Sequence, residues 1–329
     1  MNATRRSPLS FFPVPQADEL LDSIVYRFHR LSGRRKVAET LSALFGVNQR
    51  TPPRLICTRL SHMAALLPMS VCPDAEELVR RHTLLPALGR HFNGEQFRSA
   101  ITGCLSSVSV GTPKICAGHQ TVFHSNFACC PMCVAEEQEQ LGFAYWHRSH
   151  QLDGVATCHR HGCDLISRCQ YCRRATHAAG SDELPQRQCR ACGRNTLPVH
   201  GHDTSVGRLA RLAHEALHGP LRGTDQVGLL QAVLEVTGDN TEEVCREMAD
   251  IYGAGFLPNV VRAGSEDWLR SGIRSVRKNR RYGPRQLRFW RYAHTLAIAD
   301  FIFGSWEYLD REIQRVAEYQ QCDETSLAD

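Results

Sequence analysis

Four pairs of metal-ligand residues, each separated by two positions, constrain this 329-residue chain more than any other feature: Cys130 and Cys133, Cys158 and His161, Cys169 and Cys172, Cys189 and Cys192. A two-residue spacing lets both side chains of one turn reach a single tetrahedral ion. The first two pairs are separated by 24 residues and the last two by 16, the latter a spacing that fits a zinc ribbon. Together they supply seven thiolates and one imidazole. That set closes two four-coordinate sites and leaves none of the open positions a hydrolytic zinc needs. Two structural zinc ions per chain are therefore expected. Cys129, His159 and Cys163 lie beside the first set and are alternative ligands for it. The other thiols, Cys57, Cys72, Cys104, Cys116, Cys245 and Cys322, read as core residues.

The odd total of 15 cysteines does not suit a fully paired disulfide framework, and metal ligation is the better account. With 42% hydrophobic and 22% charged residues, the composition is that of a globular protein, long enough for two or three compact domains. No run of about 18 apolar residues exists, and Arg5 and Arg6 have no apolar stretch behind them, which argues against a membrane span or a secretory signal. A bacterial cytoplasmic, nucleoid-associated location is the matching expectation.

Periodicity on either side of the cysteines is helical, so the fold class expected is mainly α. Leu20, Leu21, Ile24, Val25, Phe28 and Leu31 form one stripe of a helix over 17–31, with Asp18 and Glu19 favourable in its first turn. After Ser32-Gly33 and Arg34-Arg35-Lys36, a second helix runs through Val37, Leu41, Leu44 and Phe45. Further helices are expected at 54–67, 75–90 and 94–104. Residues 1–107 thus read as a helix-turn-helix-like helical domain. Residues 108–200 read as tandem zinc-finger or zinc-ribbon modules with short β-hairpins. Residues 201–329 read as a C-terminal helical domain, with helices at 204–218, 226–237, 241–252, 266–281 and 285–320.

A search for catalytic motifs finds no P-loop, HExxH, GxSxG or clustered acidic triad. Cys130-Pro131-Met132-Cys133 matches half of a zinc-deaminase signature, but the upstream His-x-Glu is missing. The net charge of +5 matters only where it is concentrated. Arg270, Arg274, Arg277, Lys278, Arg280, Arg281, Arg285, Arg288 and Arg291 put nine basic residues into 22 positions without an acid. Phosphate contact is the natural use, and a solvated face or an acidic protein partner is the alternative. Trp268, Tyr282, Phe289, Trp290 and Tyr292 interleave with this cluster and read as core rings. Arg34, Arg35 and Lys36 form a smaller basic group in the turn of the candidate helix-turn-helix, where a solvated turn is the plainer reading. Tyr145 and Trp146 read as packing against the knuckles, and His147 and His150 as structural.

Several of these segments resemble the TniQ/TnsD family of transposon target-selection proteins. Phe12-Pro13-Val14-Pro15 leads into Asp18-Glu19-Leu20-Leu21-Asp22-Ser23, with Arg27 and Leu31-Ser32-Gly33 behind, and looks like that family's opening. Cys130-Pro131-Met132-Cys133, Ala144-Tyr145-Trp146, His150-Gln151-Leu152 and Cys158-His159-Arg160-His161-Gly162-Cys163-Asp164-Leu165 resemble its central signature. His82-Thr83-Leu84-Leu85-Pro86 looks like the segment between them. The similarity spans about residues 11–166, and Trp268-Leu269-Arg270 looks like the start of a TnsD-type C-terminal region.

The resemblance implies a non-enzymatic adaptor of cut-and-paste or CRISPR-associated transposons, with no small-molecule substrate and no membrane. Such an adaptor links a targeting entity, either an RNA-guided Cascade complex or attachment-site DNA, to the AAA+ ATPase regulator of the transposase. Homodimers are among the implied assemblies. A chain of this length looks like the shorter, adaptor-like members. Two rivals stand beside that reading: a sequence-specific DNA-binding protein that reads a fixed attachment site directly, and a zinc enzyme acting on nucleic acid.

Overall fold

The computed structural model describes residues 9–47, 59–68, 71, 74–90, 94–106, 126–176, 183–200, 204–219, 226–253 and 292–326. These residues are mainly helical. Helix α1 (Leu21–Leu31) buries Leu21, Ile24, Val25 and Phe28 as the spacing predicts, and it also buries Asp22, Ser23, Tyr26, Arg27 and His29. A helix covered on both faces lies inside the molecule rather than on its rim. Leu31 is the exception in the stripe: it is 63% exposed, because the helix ends there and the chain turns away at Ser32. Asp18 and Glu19 precede the helix instead of lying in its first turn. Asp18 takes a left-handed backbone (φ 57°), and Glu19 forms an antiparallel bridge with His147.

Helix α2 (Val37–Phe45) forms a hairpin with α1, and the His29 ring meets Thr40 Oγ1 at 2.8 Å between them. In the connecting turn, the Arg34 guanidinium lies 5.4 Å over the Phe28 ring, whereas Arg35 and Lys36 are exposed. Helices α3 (Leu60–Ala64), α4 (Ala75–His82), α5 (Leu85–Leu88) and α6 (Gly94–Leu105) complete the N-terminal layer. The single helix expected over 75–90 is broken at Thr83. A continuous helix would need Pro86 to donate to the His82 carbonyl, and proline has no N–H and a ring that clashes there. The Thr83 hydroxyl fills the gap by donating to the Val79 carbonyl at 2.7 Å and accepting from Leu85 N at 3.2 Å.

Helix α7 (Pro131–Leu141) lies inside the region read as zinc modules with short β-hairpins, where no helix is expected. Its sequence carries no clean apolar stripe; what defines it is a cysteine cap, Pro131 in the first turn and Gly142 in the left-handed region after the last.

Helices α8 (Thr204–His218), α9 (Gln226–Thr237) and α10 (Thr241–Gly253) follow the expected boundaries closely. The long helix expected over 285–320 is not continuous. Its described part comprises α11 (Tyr292–Ile298), a π turn at Ala299–Phe303, Gly304 and α12 (Trp306–Ser326). The interruption turns Asp300 inward, where Arg208 reaches both its oxygens at 2.9 and 3.1 Å and the Tyr252 hydroxyl donates to it.

One connected core extends from Phe12 to Val316 and takes in Trp146, Leu152, Val155, Leu209 and Tyr292. The C-terminal helices are tied to it by polar links as well. Trp306 Nε1 donates to the Leu212 carbonyl at 2.7 Å, and the Arg90 guanidinium lies over the Trp306 ring while pairing with Asp310 at 2.5 Å. Among the described residues there is no β-strand. The short β-hairpins expected in the metal modules are reduced to isolated antiparallel bridges at 157/164, 168/175 and 188/195. Each turn carries a single bridge and does not extend into a ladder.

Candidate metal centres

Two clusters can each hold a metal ion: Cys130, Cys133, Cys158 and His161, and Cys169, Cys172, Cys189 and Cys192. Within each, one donor atom per residue lies within 4.8 Å of all the others. The first begins at the N-terminus of α7, where Cys130 caps the helix and its sulfur accepts from Cys133 N at 3.4 Å. His161 Nδ1 lies 3.4 Å from Cys130 Sγ, 3.4 Å from Cys133 Sγ and 3.6 Å from Cys158 Sγ. Cys133 and Cys158 sulfurs are 3.7 Å apart. Bond lengths of about 2.3 Å to sulfur and 2.0–2.1 Å to nitrogen give a zinc tetrahedron edges of roughly 3.6 Å for S···N and 3.8 Å for S···S. The donors of the first cluster therefore stand at the separations such an ion requires.

The shell around this cluster is equally defined. His161 Nε2 faces Glu136 Oε1 at 2.9 Å, and the other Glu136 oxygen pairs with Arg160 at 3.1 Å. A carboxylate on the far ring nitrogen fixes the tautomer that presents Nδ1 to a metal. Sequence reading missed Glu136, although it sits one helical turn past Cys133 on α7. Of the alternative ligands, Cys129 is not in the cluster. Its thiol donates to the Ile166 carbonyl at 3.6 Å, and burial pushes it up to about 12. Cys163 lies 3.2 Å from Cys130 Sγ but outside the mutually close set. The His159 ring turns instead to α8 and stacks on His214 with centroids 3.9 Å apart. His150 is buried beside Cys158, so the grouping of His150, Cys158 and His159 shares a sulfur with the first cluster.

The same backbone turn is used three times. Cys158, Cys169 and Cys189 each donate N–H to the carbonyl five residues on: Cys163 at 2.8 Å, Arg174 at 2.7 Å and Arg194 at 2.9 Å. Each accepts at its own carbonyl from the residue four on: Gly162, Arg173 and Gly193. That fourth residue has positive φ in all three turns (63°, 62° and 71°), which glycine adopts freely and arginine does not. In the second cluster, Cys169 and Cys192 sulfurs are 3.7 Å apart and Cys172 and Cys189 sulfurs 3.6 Å, again tetrahedral edge lengths. Gln170 links its two turns by donating to the Leu197 carbonyl at 2.9 Å and accepting from Leu197 N at 3.1 Å. This module attaches to the body through Trp146 Nε1, which donates to the Glu183 carbonyl at 2.9 Å, and through Asp164 N, which donates to the Val199 carbonyl at 2.9 Å.

Behind the first cluster lies a buried polar network that joins the N-terminal segment to the Tyr145-Trp146 segment. Leu20 N donates to the Trp146 carbonyl and Arg148 N to the Asp18 carbonyl, both at 2.8 Å. Asp18 accepts from the Ser149 hydroxyl at 2.6 Å and from Arg148 Nε at 3.3 Å. Burial alone would raise its pKa. The His147 hydrogen bond and the Arg148 charge prevail and hold it well below the usual carboxylate range. His147 Nε2 meets Glu137 Oε1 of α7 at 2.5 Å. Burial disfavours its protonation, but the hydrogen bonds to Asp18 and Glu137 prevail and raise it to about 9. Glu19 pairs with Arg27 at 2.6 Å, yet its complete burial outweighs the guanidinium and pushes it up to about 7. Arg148 also donates to the carbonyls of Arg80 and Thr83, at 2.7 and 3.1 Å, which brings in the α4–α5 junction.

The segments 12–23, 82–86 and 144–152 are thus joined by one buried network that reaches α7 behind the first cluster. A family comparison selects the same stretch, since residues 10–165 match the TniQ family model. The match covers just under half of the chain. A curated relative, the transposon Tn7 transposition protein TnsD of Escherichia coli, is 25% identical over 154 residues, 46% of this chain. The chain spans 30% of that protein's length. The TniQ match contains the whole first cluster and stops before the second, which opens at Cys169.

Arg34, Arg35 and Lys36 sit at the α1–α2 turn. Arg270, Arg274, Arg277, Lys278, Arg280, Arg281, Arg285, Arg288 and Arg291 lie outside the described residues, as do Trp268, Tyr282, Phe289 and Trp290. Tyr292 is described and fully buried in α11, a core ring as expected. Among the described residues, no helix is long and apolar enough to cross a membrane.

Proposed function

We propose that this chain is a transposon target-selection protein that works by binding and not by catalysis, with one zinc ion held in each cysteine cluster. Cys130, Cys133, Cys158 and His161 hold the first ion, and Cys169, Cys172, Cys189 and Cys192 the second. Both ions are structural, because four protein donors fill each coordination sphere. In this reading zinc and the Asp18 network make a rigid platform. One surface holds the targeting entity, an RNA-guided Cascade complex or attachment-site DNA, and another receives the AAA+ ATPase regulator. Weak contacts to each become strong only when all are co-located, and that supplies the selection.

The observation that supports the reading is that the TniQ match contains one whole metal cluster, and that its separate motif segments are tied to one another by the buried Asp18, His147, Arg148 and Glu137 network behind it. The test is reconstitution of the purified chain with the AAA+ regulator from the same element, on duplex DNA, with and without the guide complex. Stable co-assembly that requires the guide complex supports the adaptor. Tight binding to one duplex without it makes the chain a direct attachment-site reader. Failure to bind DNA, regulator and guide complex alike rejects target selection altogether.

A further inference from the structure

The second module carries a charge pattern that neither metal binding nor packing requires. Residues 167–200 contain six arginines, Arg168, Arg173, Arg174, Arg187, Arg190 and Arg194, against two acids, Asp182 and Glu183. All six arginines are exposed. Five arginines elsewhere in the fold pair with carboxylates: Arg27 with Glu19, Arg148 with Asp18, Arg90 with Asp310, Arg160 with Glu136 and Arg208 with Asp300. In the second module Arg190 pairs with Glu183 at 2.8 Å, and among the described residues no carboxylate pairs with Arg173, Arg174, Arg187 or Arg194.

Three further features make this a built surface. Arg173 occupies the left-handed position that glycine fills in the other two turns, so the fold tolerates backbone strain to present a guanidinium there. The Arg194 guanidinium lies 4.9 Å over the half-exposed Tyr171 ring, which holds it in place. Gln186, Arg187, Gln188 and Asn195, with Gln138 of α7, line an open polar cleft on the module. Amides and arginines are the side chains that meet phosphate and sugar along a nucleic-acid backbone.

The geometry points to the second zinc module as a phosphate-backbone binding surface for double-stranded DNA, with Arg173, Arg174 and Arg194 as its principal contacts. The inference rests on the reading of the chain as a protein that works on target DNA. It assigns part of that contact to a module outside the TniQ match and separate from the basic cluster at 270–291.

The experiment is equilibrium binding of the full chain to a labelled 40-bp duplex across a salt series, comparing wild type with the triple variant Arg173→Gln, Arg174→Gln, Arg194→Gln. Removing one phosphate interaction lowers the slope of log K against log salt by about 0.9, so the triple variant is expected to lose roughly 2–3 units of slope. The Arg→Lys triple should restore most of it. If the triple variant loses metal, the single variants Arg174→Gln and Arg194→Gln are each expected to lose about one unit. An unchanged slope in variants that retain their metal overturns the inference and leaves the arginines to RNA or an acidic protein. Absence of duplex binding by the wild type overturns the inference alone; the reading on which it rests falls only if the chain also fails to assemble with the regulator and the guide complex.

Discussion

Cys158 and Cys189 open the same hydrogen-bonded turn, yet their surroundings have little in common. Cys130, Cys133 and Cys158 are at most 1% exposed, and their cluster is enclosed by α7, the His159–His214 stack and the Asp18 network. In the second cluster Cys169 is buried, Cys172 and Cys189 are partly exposed and Cys192 is exposed. The first is a joint on which the helices converge. The second is an arm fixed to the body by a few hydrogen bonds and covered with arginine. A shared backbone device therefore does not determine a module's role; what packs behind it does.

The largest expected effect breaks this comparison directly. Zinc binding in small cysteine modules is worth about 10–16 kcal/mol, more than the roughly 5–15 kcal/mol of net stability typical of a folded protein. Cys133→Ser should therefore abolish the cooperative thermal transition of the whole chain, followed by circular dichroism. Cys172→Ser should lower metal content by about one ion per chain and leave the helical transition in place. Unchanged stoichiometry would remove Cys172 from the ligands, and equal collapse in both variants would erase the distinction between joint and arm.

Next in size is the network behind the joint. Asp18→Ala leaves Arg148 buried without its carboxylate and is expected to cost about 3–5 kcal/mol in denaturant unfolding. A cost below about 1 kcal/mol would mean the network is incidental.

His147 gives this part of the molecule a pH signature. Its folded-state pKa, raised to about 9, lies above the ordinary value of 6.5. The stability it contributes is fully present below about 6.5 and is lost as pH rises through 9. The melting temperature of wild type should fall over that window, and His147→Gln should flatten the fall. Parallel profiles for the two proteins would exclude His147 as the source.

The smallest effect concerns the turns themselves. Gly193→Ala should destabilise the second module by about 1 kcal/mol, and Arg173→Gly should relieve up to a similar amount, read as resistance to proteolysis within 167–200. A loss of stability on Arg173→Gly would mean that its side chain holds the arm together.

How much of this was legible in the sequence depended on whether the signal was local. The cysteine and histidine spacings were, and the structure brings those eight residues into two groups of four. Helices α8, α9 and α10 followed from apolar periodicity alone. Helix α7 did not, because Met132-Cys133-Val134-Ala135-Glu136-Glu137-Gln138 has no apolar stripe and is held by its cap and by Glu137. Asp18 and Glu19 looked like ordinary helix-start acids, since nothing local announces that Asp18 pairs with a residue 130 positions away. The arginines of the second module are not legible as a group for a related reason: they are scattered along the chain, and Arg194 meets Tyr171 only once the two turns close on each other. The contiguous run at 270–291 drew attention instead.

The most direct test of two clusters with unequal roles is native mass spectrometry of the full chain during titration with EDTA, with circular dichroism on the same samples. The account predicts two zinc ions at the start. The first should leave while helical ellipticity is preserved, and the second should leave together with unfolding. Release of both ions in one step with a single structural transition, or a starting stoichiometry other than two, would contradict it.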